Sequence, residues 1–155
     1  MVNRIFEASI WAEGAIPDQE WKYRNLKRVL LPILDLIFIC SGVVATVVGI
    51  PAISKFFPSP IVFLFGLTLI IIAIGCLIGV AFPQFWPLEM ACESILLGIL
   101  ASYALALIIV TLANESNRAF GLTLVIGLMC VVVWRLSLLG AEWQTRKLLE
   151  RYSNE

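Results

Sequence analysis

Four runs of apolar residues organise the chain, over about 29–53, 61–82, 88–113 and 119–140. A hydrocarbon core needs about 20 residues of helix to cross it, and each run meets that length. Barrel strands would alternate apolar and polar positions with a period of two, so uninterrupted runs predict helices. Between them lie short segments rich in breakers: PAISKFFPSP at 51–60, PQFWP at 83–87 and NESNR at 114–118. Connections this short place successive helices side by side and antiparallel. The predicted fold is all-α, an integral membrane four-helix bundle over residues 29–140.

The flanks carry a different pattern. In residues 1–28, Asn3, Arg4 and Glu7 share one helical face, and Val2, Ile5, Phe6 and Ile10 share another. That arrangement predicts a helix lying on a membrane surface. Gly14 and Pro17 end it, and Asp18 suits the cap of a second short helix. Pro32 disfavours a helix interior and predicts a kink or a fresh start. In the tail, 141–155, Ala141, Thr145, Leu148 and Tyr152 continue a stripe that begins at Leu138, with Glu142 and Arg146 four apart. The tail therefore reads as an extension of the fourth helix.

Composition strengthens the membrane reading. Of 155 residues 61% are hydrophobic and 14% charged, with a mean hydropathy of +0.96. Soluble domains carry about a quarter charged residues, and so short a chain could not hide this much apolar surface from water. Lipid is the expected solvent. The first apolar run starts too late and is too long for a cleavable signal peptide. A formal net charge of zero suggests no nucleic-acid partner.

Lysines and arginines set the expected orientation. Arg4, Lys22, Arg24, Lys27 and Arg28 precede the first run, and Arg146, Lys147 and Arg151 follow the last. The first and third loops hold only Lys55 and Arg118, and the second loop holds neither type. The positive-inside rule then places both termini in the cytoplasm. Trp21, Tyr23, Trp86, Trp134 and Trp143 would lie near the inner interface, where amphipathic rings prefer to sit.

Charges inside the apolar runs are few and share a level. Asp35 lies six residues beyond Val29, Glu93 five beyond Leu88, and Arg135 five before Gly140. At 1.5 Å per residue Asp35 is roughly 9 Å deep and the other two roughly 7–8 Å. Glu89 stands one turn before Glu93 on the same face. A charge in mid-helix costs a few kcal/mol on the insertion scale, less near the edge, and pairing offsets part of it. The expectation is an Asp35–Arg135–Glu93 cluster near the inner mouth of the bundle, because one guanidinium can serve two carboxylates. Structural glue between helices, separate snorkelling to the headgroups and a proton or cation relay are the three roles open to these groups.

Small residues also recur. Ser41, Ala45 and Gly49 are spaced by four in the first run, Gly75 and Gly79 in the second, and Ser94, Gly98, Ser102 and Ala106 in the third. In lipid, helices associate by close approach at such positions. The stripes suit packing within the chain or against a partner.

Enzymatic chemistry finds little footing. The chain has no histidine, the commonest general base and metal ligand. It contains no GxxxxGK[ST], GxSxG or HExxH motif. Cys40, Cys76, Cys92 and Cys130 form no CxxC pair and read as small buried hydrophobes, so neither a metal nor another cofactor is expected. Glu89 and Glu93 near a helix start are favourable through the helix dipole alone. The expected function is a non-enzymatic multi-pass membrane protein acting by association with itself or a membrane partner. In compact size, short loops and charged tail the chain is also broadly similar to phage holins, which would imply pore formation. A third reading is a small ion-coupled transporter. Four-span exporters of the small multidrug resistance type carry an acidic residue in their first span, but the likeness ends at span count.

Overall fold

The structure, a computed structural model, describes residues 9–11, 26–51, 53–54, 56–113 and 119–153. Among these residues there is no strand. Four long helices follow one another: α1 (Leu31–Val48), α2 (Ser59–Ala81), α3 (Trp86–Leu112) and α4 (Ala119–Ser153). Each contains a stretch long and apolar enough to cross a membrane. A π-helical turn, Leu26–Leu30, leads into α1, and a 3₁₀ turn, Pro83–Phe85, leads into α3.

Local chemistry explains where the helices begin and end. Pro32 stands in the first turn of α1, where its missing N–H removes no intrahelical bond. The helical backbone is continuous through Leu30, so the proline marks a change from π- to α-helix rather than the expected kink or fresh start. At the other end Gly49 adopts φ 83° and donates its N–H to the Ala45 carbonyl at 3.1 Å. A residue with positive φ and an extended ψ of 174°, open essentially only to glycine, followed by Pro51, stops the helix, so α1 ends at Val48 rather than at the expected residue 53. Pro58 caps α2 and Pro60 lies in its first turn. Helix α4 runs unbroken to Ser153, so the tail does extend the fourth helix. The expected Glu142–Arg146 pair lies outside the described side chains.

Of the two helices expected in residues 1–28, nearly all lies outside the described residues. Ser9–Trp11 form a bend and turn. Ile10, expected on the apolar face of a surface helix, is buried and donates its N–H to the Ala81 carbonyl at 2.9 Å. It thereby satisfies a carbonyl in the last turn of α2 that has no helical partner. Arg28 Nε donates to the Ile10 carbonyl at 3.0 Å, and the Trp11 indole N–H donates to the Arg28 carbonyl at 3.1 Å.

The chain divides into two compact units, Met1–Leu96 and Leu97–Glu155. In the first, α1 and α2 meet at two glycines. A Cβ on Gly42 would lie 3.1 Å from the Gly66 carbonyl oxygen, and one on Gly66 would lie 2.8 Å from the Thr46 nitrogen. Only hydrogen at both positions permits this backbone approach, the small-residue packing that stands in for hydrophobic drive in lipid. Buried positions trace one stripe per helix: Leu31, Asp35, Phe38, Gly42 and Ala45 on α1, and Val62, Gly66, Leu69, Ala73, Cys76 and Val80 on α2. In the second unit the buried residues are Leu100, Ala104, Leu107 and Val110 of α3, and Val125, Val132, Arg135 and Leu139 of α4. Steps of three, four and seven mark seams of the coiled-coil kind.

The outward surfaces are apolar. Val47, Leu112 and Phe120 are almost fully exposed, as are many other large hydrophobics to a lesser degree. Exposed apolar area on this scale marks a surface made for something other than water.

Candidate functional site

Most of the polar residues expected in the apolar runs occupy inward stripes. Asp35 and Glu93 are 0% exposed, Arg135 1% and Glu89 6%. Asp35 takes the place on α1 between Leu31 and Phe38, where its neighbours on the stripe are apolar. Glu89 and Glu93 precede Leu96 and Leu100 on the buried stripe of α3. The snorkelling alternative does not fit four such buried groups, because snorkelling puts the charged end at the surface.

Within the first unit, three helices converge. A carboxylate oxygen of Asp35 on α1, the Cys76 sulfur on α2 and a carboxylate oxygen of Glu93 on α3 all lie within 4.8 Å of one another. Cys92, one residue before Glu93, shares a hydrogen bond with Cys76. Glycines on α2 bring this part of α3 so near. A Cβ on Gly75 would lie 2.5 Å from the Cys92 sulfur, and one on Gly79 would lie 2.9 Å from the Glu89 Cα. Asp35, Cys76, Glu89 and Glu93 are each engaged in a bonding or electrostatic interaction. Arg135, in the second unit, is also so engaged.

The three small-residue stripes differ in environment. Gly75 and Gly79 receive Cys92 and Glu89 of the next helix. On α1, Ala45 is buried and Ser41 exposed, and Gly49 stands outside the helix with nothing within 4 Å of an added Cβ. Gly49 therefore serves as a helix stop and is removed from the packing stripe. On α3, Ser94, Gly98 and Ser102 are all exposed, and a Cβ on Gly98 would meet nothing within 4 Å. Both hydroxyls on this face bond back to their own helix, Ser94 to the Met90 carbonyl and Ser102 to the Gly98 carbonyl, each at 2.8 Å. The face is narrow and makes no outward demand for hydrogen bonds.

Cys76 is the member that sequence reasoning passed over, as one more small hydrophobe. The signal was available in its depth. It lies five residues before the end of α2, about the depth of Asp35 and Glu93, so the count that aligned the charges would have aligned the thiol. Chemically, two carboxylates and a thiol at one buried point can share protons or hold a cation. No family model, characterised protein or solved structure matches this chain.

Proposed function

We propose that the chain is a small non-enzymatic membrane protein of four spans that acts by associating with a second copy of itself or with another membrane protein. Both termini face the cytoplasm in this reading, and the four helices form one bundle in the lipid. Support for the membrane comes from the four apolar helices and their apolar outward surfaces. Support for the orientation comes from the basic residues, which crowd the two ends of the chain.

The single observation that carries association is the open face Ser94–Gly98–Ser102. The Gly75–Gly79 stripe has the same spacing and is filled by its neighbour helix, whereas nothing approaches Gly98. A small-residue face with its hydroxyls satisfied internally allows a second helix to come close, and close approach drives helix association in lipid. The test uses Ser102→Cys in a background with the four native cysteines replaced by serine or alanine. A benzophenone maleimide attached there in native membranes should form a covalent adduct, with a second copy or another membrane protein, and Gly98→Leu should abolish it. Absence of any adduct, or one indifferent to Gly98→Leu, would overturn the proposal.

A second reading, coupling to ion movement, is favoured by the meeting of Asp35, Cys76 and Glu93. Ionisable groups inside apolar helices commonly mark ion or proton pathways. In proteoliposomes that reading expects proton flux that Asp35→Asn abolishes. Flux unchanged by that substitution would remove it. A holin-type pore draws no support from any feature of the described residues.

A further inference from the structure

We propose that Asp35, Cys76 and Glu93, with Cys92 as fourth donor, bind a thiophilic divalent cation of the zinc type. The donors come from three helices of one compact unit, and those of Asp35, Cys76 and Glu93 already lie within 4.8 Å of one another. Tetrahedral zinc holds sulfur at about 2.3 Å and carboxylate oxygen at about 2.0–2.2 Å, which sets ligand atoms roughly 3.5 Å apart. Binding requires these donors, and the Cys92 sulfur beside Cys76, to draw in around the cation.

The donor set is more selective than a group of acids. Calcium and magnesium take six or more oxygens, which this wholly buried point does not offer. Thiolate beside carboxylate suits zinc, cadmium or cobalt(II). An independent feature supplies the second sulfur. Cys92 is hydrogen-bonded to Cys76, and it stands there because residue 75 has no side chain to displace it. The other two cysteines, Cys40 and Cys130, are exposed and serve as internal controls.

Binding is an exchange. The three side chains already take part in interactions, and the cation replaces them. Each thiol that ligates loses its proton to solvent as its sulfur forms a bond to the metal, and the carboxylates contribute lone pairs without change of oxidation state. Affinity therefore rises with pH, as proton release requires. The two positive charges of the metal offset part of the cost of keeping carboxylates out of water.

The test uses detergent-purified full-length protein without an affinity tag. Because the chain has no histidine, background binding is low. Cobalt(II) titration should show one equivalent retained through gel filtration. The spectrum should carry a thiolate-to-cobalt charge-transfer band and the d–d absorption of a tetrahedral site, and zinc should displace both. Loss of an outer-shell partner costs about 10–100-fold in affinity, so Cys76→Ser, which removes a ligand, should cost at least about a hundredfold while leaving the helical circular dichroism intact. Cys40→Ser and Cys130→Ser should bind as the parent does. Asp35→Asn repeats the test from α1 if it accumulates. Failure of the parent protein to retain cobalt, or retention undiminished in Cys76→Ser, would overturn the proposal.

Discussion

Carboxylate oxygens of Asp35 and Glu93 lie within 4.8 Å of each other, and neither residue has any exposed surface. Two acids on helices far apart in sequence have been brought to one point, in a chain that places few charges in its apolar runs. Their like charges oppose close approach unless a proton, a cation or a basic side chain stands with them. Arg135 is the lone lysine or arginine between residues 119 and 141, and it is 1% exposed.

Charge exchange tests the Asp35–Arg135 pairing expected from the sequence. Asp35→Arg should abolish accumulation, since it replaces a buried, already engaged carboxylate with a cation, and breaking a buried charge pair costs about 3–5 kcal/mol. Combining it with Arg135→Asp should restore roughly half or more of the parent level, read by immunoblot of the membrane fraction. A double variant as depleted as the single one would argue that Arg135 answers to another group.

Glycine substitutions should separate the filled stripe from the open one. Leucine at Gly79 would press on the Glu89 backbone, where a Cβ alone comes to 2.9 Å of the Cα. It should lower unfolding free energy by at least about 1–3 kcal/mol, the usual range for overpacking. Leucine at Gly98 meets nothing and should change stability by less than about 0.5 kcal/mol. Thermal unfolding in mild detergent distinguishes the two, and equal losses would contradict the packing described.

The end of α1 makes a narrower prediction. Gly49 holds φ 83° in open space, so alanine there suffers from its backbone conformation and not from a clash. Gly49→Ala should cost about 1–3 kcal/mol, and Gly49→Asn no less, because φ 83° with ψ 174° is a conformation that essentially only glycine adopts. A melting temperature unchanged in Gly49→Ala would show that the helix can continue through this position.

Much of the architecture was legible because helices in an apolar solvent announce themselves by length. The four runs and the extension to Ser153 followed from apolar length and a 3.6-residue period. The end of α1 was legible only in part. Gly49 and Pro51 are stop signals in the sequence, but Ile50 and Ile53 continue the apolar run, and length alone carried the expectation on to residue 53. Charged residues stood out against their surroundings, so Asp35, Glu89, Glu93 and Arg135 could be picked by eye. Cys76 could not, since a thiol among isoleucines reads as a small hydrophobe until its neighbours are known. The stripes show the same limit. Gly75–Gly79 and Ser94–Gly98–Ser102 have one periodicity and opposite environments, because spacing decides which residues share a face and packing decides which face is covered.

The account rests most heavily on lipid as the solvent of the four helices, and alkaline extraction of native membranes tests it most directly. At high pH and without detergent, the chain should stay in the membrane pellet and enter the supernatant only when detergent is added. Quantitative release into alkaline buffer, with a monodisperse species in plain buffer afterwards, would contradict it.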